Sequence, residues 1–335
     1  MHAESAYLFR HALLRDAAYE LQMPADRSRL HEHAMEILQA GHEVPAAESA
    51  GAHPLDAACA ELARHARAAR RSPGGNTAVL IGREALFLRR AAAHAMRQYQ
   101  RADEVKAWLA LAELERGAKQ AIALCSAALV LLELPDGLGQ ARSLAQRALE
   151  QAADDPAARG KALRVLGECA YRAGQPQEAE DLYTRALEAL SAAGLQRDAA
   201  NLGNDIGNLL MHTGRYEEAE ARFRRTLQEA ADLGDQGLVG AVQGNLASLC
   251  DQTGRRDQAL QAAQAAIASF RACGMRAHEG IMLSNMAAGM DSEAERAQPE
   301  PTDRLLAHQP PAPRRQAQHR HRARQAETVQ QQIGG

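Results

Sequence analysis

A phrase of 15 residues recurs three times in this chain without a gap, each copy 40 residues after the last. AGQPQEAEDLYTRAL begins at Ala173, TGRYEEAEARFRRTL at Thr213 and TGRRDQALQAAQAAI at Thr253. Gly174, Gly214 and Gly254 fall in register, as do Ala179, Ala219 and Ala259. A fourth copy, QARSLAQRAL, sets Ala141 and Leu149 where the next has Ala179 and Leu187, at a spacing of 38. Upstream of each glycine a helical period returns: Leu163, Leu166, Gly167 and Ala170; then Gly203, Ile206, Gly207 and Leu210; then Leu246, Ala247 and Cys250. Residues 280–290 open a fifth copy with Leu283, Met286 and Ala287. A chain of this kind folds by stacking one small unit on the next, because no unit can bury its apolar face alone. Length therefore measures a row of units, and dividing 335 residues by about 150 per domain misleads.

Each unit reads as a helix, a tight turn at the glycine and a second, antiparallel helix. Glycine is wanted after the last turn of the first helix because it enters the left-handed region without a Cβ clash. Composition agrees with an all-α chain. Apolar residues make up 46% but aromatics only 3%, and alanine is roughly a fifth of the whole. Alanine has the best helix propensity, whereas a sandwich or barrel needs more β-branched and aromatic residues than occur here. Gly167, Gly207 and Ala247 stand mid-helix, where the expected compensation is close approach of Ala179, Ala219 and Ala259 on the partner helix. Tyr183 and Phe223, one turn further on, are expected to fill the gaps between units.

Here the pattern reaches a family. Leu163-x2-Leu166-Gly167-x2-Ala170, followed by Ala179-x3-Tyr183 and Ala186, resembles the tetratricopeptide repeat. So does Ile206-Gly207-x2-Leu210 with Ala219-x3-Phe223, and more weakly Leu246-Ala247-x2-Cys250 with Ala259. The resemblance covers residues 122–290 and implies a right-handed α-solenoid of antiparallel helix pairs. The leading Trp of the family is absent, and the last complete unit has Ala263 where an aromatic belongs. The period of 40 exceeds the family's 34, which predicts a link between units longer by about six residues.

Residues 46–121 read as degenerate helical repeats, with Tyr99 near a turn and Trp108 in the helix that follows. Residues 72–77 and 154–156 read as loops. Residues 1–45 resemble the helical linker that follows the nucleotide-binding core of large bacterial signal-transduction ATPases. The phrase is carried by Tyr7, Phe9, His11, Ala12, Leu13, Arg15, Tyr19, Arg27, Leu30 and His31. That resemblance implies the repeat arm of such a protein without its motor, as a fragment or a separate gene. The ATPase, adenylate cyclase or LuxR-type DNA-binding part would then lie outside this chain. From 291 to 335 the pattern stops and prolines cluster at Pro299, Pro301, Pro310, Pro311 and Pro313. Apolar content is too low there to offset ordering, so the tail is expected to be disordered, the product of a truncation or a changed frame.

The chemistry expected of the chain is slight. A net charge of −3 gives no footprint for duplex nucleic acid, and few aromatics are present to stack single-stranded bases. The longest apolar run, 127–132, is far short of a membrane helix, and the amphipathic N-terminus is no secretory signal. Five scattered cysteines without a C-x-x-C suggest a cytoplasmic chain with neither disulfide nor zinc framework. Cys169 and Cys250 are read as small buried hydrophobes. Gly160–Lys161 lacks the rest of a phosphate-binding loop. His31 and His33, two residues apart on a helix, point to different faces. His11 and Arg15 read as helix surface, and the acidic run 217–220 as complement to a helix dipole. No catalytic, cofactor or metal site is expected.

What remains is an interaction surface. In stacked helix pairs the first helices line the concave face. Its solvent-facing positions are predicted to be Lys161, Arg164, Glu168, Tyr171 and Arg172, then Asn201, Asn204, Asn208, Met211 and His212, then Asn245, Ser248 and Asp251, with Asn285 one period on. Asparagine both donates and accepts, so a row of it suits the backbone of an extended peptide. The alternative is that these residues are solvated, or that Asn245 and Asn285 bridge neighbouring helices. The expected partner is a protein or peptide in cytoplasmic signalling, with no membrane and no nucleic acid. Self-association is expected through an uncapped C-terminal repeat.

Overall fold

The computed structural model describes residues 17, 19–42, 51–71 and 77–297, with side chains to Met286. The phrase at 7–15, the loop at 72–76 and the tail beyond Ala297 lie outside the described residues. Thirteen α-helices follow one another, with no strand among the described residues. They are α1 (Pro24–Gln39), α2 (Cys59–Arg71), α3 (Thr77–Arg97), α4 (Arg101–Leu114), α5 (Gly117–Leu131) and α6 (Leu138–Ala152). The regular part holds α7 (Pro156–Arg172), α8 (Pro176–Ala192), α9 (Gln196–His212), α10 (Tyr216–Asp232), α11 (Gln236–Gln252) and α12 (Arg256–Ala272). A short 3₁₀ helix, Pro54–Ala58, precedes α2. The last helix, α13 (Arg276–Ala297), continues past residue 290, where the repeat pattern was expected to end. The helix formers of its DSEAERA segment account for this. Residues to Leu283 belong to one compact unit and those from Ser284 to a second. In the first, consecutive helices from α1 through α12 pack on one another, α11 on α12 being the last such pair, which is the architecture of an α-solenoid.

The 40-residue period is met differently from the expected long link. Helices α7 to α12 are each 17 residues long, and three-residue turns join them throughout. The additional residues lie in the helices. The true ruler is a half-period of 20, with a turn glycine at 174, 194, 214, 234, 254 and 274. All six have positive φ, for example +73° at Gly174 within a unit and +69° at Gly194 between units. The turns share one hydrogen-bond pattern. Gln175 N–H donates to Ala170 O at 2.9 Å and Leu195 N–H to Leu190 O at 3.0 Å, and the other four repeat it. These bonds satisfy carbonyls that a helix end otherwise leaves open.

Within each pair, small residues are answered by large ones. A Cβ on Gly167 would lie 2.4 Å from the Tyr183 ring, and one on Gly207 2.3 Å from the Phe223 ring. The rings therefore seat on the glycine of their own repeat, where Ala179 and Ala219 had been expected. The third pair has Ala247 and Ala263 at these positions, both buried. Two turns earlier the roles reshuffle. Gly160 faces Leu190 and Gly240 faces Phe270, while Ala200 and Ala230 occupy the equivalent positions of the middle pair. Thus glycine meets a bulky side chain and alanine stands with alanine, which holds the local volume nearly constant. Gly203 follows the same rule, with Thr226 and Arg222 over it.

The earlier helices use another principle. Glu84 of α3 is fully buried and accepts from Arg67 at 2.7 Å and Arg70 at 2.5 Å, both on α2. Asp56 is buried against Arg90 at 2.7 Å and also bonds Arg97. Its carboxyl sits below the usual range: burial pushes it up, but hydrogen bonds from Arg90 and the His53 N–H pull it down further. Tyr99 turns the chain between α3 and α4 at a φ of +56°, in the place of a turn glycine.

Candidate functional site

Successive first helices touch one another, α5 on α7, α7 on α9 and α9 on α11, whereas successive second helices make no contact of that extent. A row that is tight on one side and splayed on the other curves around its tight side. The first helices therefore line the inner face of the compact unit, and most of the predicted site residues do stand on it.

Many of them are already joined across repeats. Lys161 Nζ lies 3.2 Å from Asp198 Oδ2, and Arg164 Nε donates to Asp205 Oδ2 at 2.7 Å. Asn245 Nδ2 donates to Asn204 Oδ1 at 2.8 Å, and Arg197 pairs with Asp235 at 3.0 Å. Tyr171 and His212 place their rings 5.7 Å apart across the same boundary. Arg172 donates to Glu168 at 2.6 Å and reaches back to the Leu132 carbonyl at 2.7 Å, closing the end of α5. Glu168 also accepts from the Tyr183 hydroxyl at 3.0 Å. Met211 corrects the expectation outright. It is only 6% exposed and packs in the core of α9 and its neighbours, so it cannot face a partner.

The sequence reading missed the acidic half of this ladder: Asp198, Asp205 and Asp235. Each follows its basic partner by about one repeat, and that complementarity is the signal that could have found them. Burial pulls the Arg164 guanidinium down, but Asp205 more than offsets this and keeps it charged. Burial raises the Asp205 carboxyl against the pull of Arg164, with Glu168 adding to the rise. Burial, then Glu168 and Asp205, likewise raise the Tyr183 hydroxyl.

Some hydrogen-bonding capacity stays open. The Asn204–Asn245 bond leaves the Asn204 amide protons and the Asn245 oxygen unused by each other. Among the described residues Asn201 bonds only its own helix, at the Arg197 carbonyl 2.9 Å away, and Ser248 only the Gly244 carbonyl at 3.1 Å. Asn208 is half-buried on the same face; Asp251 and His212 are exposed, and Asn285 is exposed on α13. The second helices carry their own clamps. Arg142 bonds Glu178 at 2.8 Å, Arg215 bonds Glu180 at 2.9 Å and Arg255 bonds Glu220 at 2.9 Å. The acidic run at 217–220 thus does more than face a helix dipole, because Glu220 ties one repeat to the next.

The remaining candidates are structural. Cys169 and Cys250 are buried as expected, and burial, then Glu168, pushes the Cys169 thiol up to about 11. Burial likewise pushes Cys125 up to about 12. His31 turns to Tyr19 and His65 while His33 turns to Glu36, so the two do not share a face. Among the described residues no group of His, Cys, Asp and Glu has metal-binding geometry, and no helix is long and apolar enough to cross a membrane.

Residues 198–272 match the tetratricopeptide repeat family. That stretch carries tetratricopeptide repeats, and the helices before it continue the same solenoid packing. Aspartyl phosphate phosphatase F from Bacillus subtilis is similar in structure, with 12% identity, a TM-score of 0.51, and coverage of 77% of this chain and 71% of that one. PlcR of Bacillus thuringiensis, solved with a peptide and DNA, has 13% identity, a TM-score of 0.50, and coverage of 77% and 99%. BtubC from P. vanneervenii has 13% identity, a TM-score of 0.50, and coverage of 77% and 97%. At such identities the likeness is one of fold. No curated protein sequence matches the chain significantly.

Proposed function

We propose that the protein is an interaction module that takes an extended peptide segment of a partner protein along the inner face of α7, α9 and α11. The reading rests on the row of amides and hydroxyls left open on successive first helices: Asn201, Asn204, Asn208, Asn245 and Ser248. The donor kept by Asn204 and the acceptor kept by Asn245 complement one peptide group, which carries one of each. Lys161, Arg164, Glu168 and Tyr171 set the rim and bias the segment by charge, while the cross-repeat contacts of Lys161, Arg164 and Tyr171 hold the groove rigid before binding. Catalysis plays no part in this reading. Its setting is a signalling assembly in the cytoplasm, as the regulatory arm of a larger protein or complex. PlcR binds a peptide, and a peptide-taking solenoid is the same physical solution.

The test is a peptide library screened against the wild-type chain and the Asn201→Ala/Asn208→Ala double variant. Neither side chain holds neighbouring repeats together, so helicity should be unchanged. Two lost hydrogen bonds at about 0.5–1.5 kcal/mol each should weaken selected peptides roughly tenfold. Equal binding by both proteins would remove the inner face from consideration. Self-association is a second reading, favoured by exposed Leu260, Ile281 and Leu283 near the last repeat. A concentration-independent monomer mass in light scattering would refute it.

A further inference from the structure

A cavity of about 610 Å³ opens between the start of α1 and α2, far along the chain from the inner face just described. Among the described residues its wall is Tyr19, Pro24, Arg27, Arg64, Arg67, Ala68 and Arg71, with four guanidinium side chains and no carboxylate. Arg64, Arg67 and Arg71 recur on α2 at one-turn intervals, so they form a row about 10 Å long on one helix face. Arg27 approaches from α1. It is oriented by the carbonyls of Gln22 at 3.0 Å and Glu20 at 2.5 Å, pairs with the Glu20 carboxylate at 3.1 Å, and covers the Tyr19 ring at 4.9 Å.

The local charge does not cancel. Buried Glu84 serves both Arg67 and Arg70, so one carboxylate is shared by two cations. Glu113 adds only a long contact to Arg67, at 3.9 Å. Arg64 and Arg71 are exposed and pair with no carboxylate among the described residues. Like charges gathered on one wall repel unless an anion joins them. This concentration of arginine stands in a chain whose net charge is −3.

We infer that this cavity binds a small molecule carrying two or more phosphoryl groups. Guanidinium matches phosphate oxygens bidentately and stays charged at any physiological pH. A row about 10 Å long is more than one phosphate can span, so a linked pair or triplet of phosphoryl groups fits it better. The volume falls within the range of small-ligand sites and leaves room for an organic group beside Tyr19, Pro24 and Ala68.

The test is calorimetric titration of the full chain in magnesium-free buffer with sodium tripolyphosphate, a nucleoside triphosphate and orthophosphate. The protein is wild type or Arg64→Gln/Arg71→Gln. Neither arginine has an ion-pair partner among the described residues, so circular dichroism should be unchanged. Tripolyphosphate should bind the wild type, orthophosphate should bind roughly tenfold or more weakly, and the double variant should lose roughly tenfold or more. A nucleoside triphosphate tighter than tripolyphosphate assigns the site to phosphorylated organic molecules, and the reverse order to bare polyphosphate; both support it. The control Arg147→Gln/Arg185→Gln removes two exposed arginines elsewhere and should bind as wild type. Three results would overturn the proposal: no binding of any phosphate compound, equal binding of orthophosphate, or an equal loss in the control.

Discussion

The stretch from Pro156 to Ala272 and the stretch from Pro24 to Leu114 are both rows of antiparallel helices, yet they fill their interiors by opposite means. In the first, glycine and alanine let backbones approach, and Tyr183, Phe223, Leu190 and Phe270 fill whatever space the glycines leave. In the second, charge is buried. Asp56, Glu84, Arg90 and Glu104, each nearly inaccessible, lie before residue 117, whereas the Arg164–Asp205 pair of the repeats stays 26% and 21% exposed. A volume rule can be copied every 20 residues, because any small–large assignment that conserves volume will do. A buried ion pair cannot be copied so freely, since each carboxylate needs its own aligned donors. The regular stretch is therefore periodic in sequence, and the earlier one is irregular although its helices pack in the same order.

The largest expected effect separates the two regions by charge. Glu84→Ala removes a fully buried carboxylate shared by Arg67 and Arg70, which are themselves about a quarter exposed, and should cost about 2–4 kcal/mol in denaturant unfolding. Glu180→Ala removes an exposed clamp partner in the repeats and should cost at most about 1 kcal/mol. Equal losses would erase the distinction. The turns give a smaller contrast of opposite sign. Gly214→Ala forces a side chain into the left-handed region and should destabilise by about 1–2 kcal/mol. Tyr99→Gly relieves the same strain in the irregular stretch and should stabilise by up to about 1 kcal/mol, measured by thermal melting.

The smallest effect is a pH dependence confined to the N-terminal stretch. Burial, and then the neighbouring His65, hold the His31 imidazole below its ordinary 6.5. The unfolded chain therefore takes up this proton first as pH falls. Stability from the site is complete above 6.5 and is lost as pH drops from there toward the lowered value. Between about pH 7.5 and about pH 5.5 the wild type should lose more melting temperature than His31→Gln. Parallel curves would contradict the assignment.

The contrast also explains what could be read from the chain. Helix, turn and repeat were legible because Gly174, Gly214 and Gly254 punctuate a strong apolar period. The between-unit glycines at 194, 234 and 274 carry the same signal at half the spacing. Without them the extra length of the period was assigned to the link rather than to the helices. The seating of Tyr183 on Gly167 was not legible from one unit. It emerges only when Gly207 with Phe223 and Ala247 with Ala263 are set beside it. On the inner face, residue positions were largely legible, but Met211 shows that one residue of helical phase decides between groove and core. The carboxylates Asp198 and Asp205 escaped because their partners lie on the preceding repeat. Buried Glu84 could not be foreseen, since nothing in its own helix announces that two arginines on α2 meet it.

The central claim is that each helix pair is specified by small–large reciprocity. A double-mutant cycle of Gly207→Ala and Phe223→Ala, followed by urea unfolding, tests it most directly. Phe223→Ala alone should cost about 3–5 kcal/mol by leaving a cavity, and Gly207→Ala alone about 1–3 kcal/mol by driving a methyl into the ring. Together they recreate the Ala247–Ala263 arrangement, so adding Gly207→Ala to Phe223→Ala should cost nothing or restore stability, with a coupling of at least about 1 kcal/mol. Strictly additive losses would contradict the account.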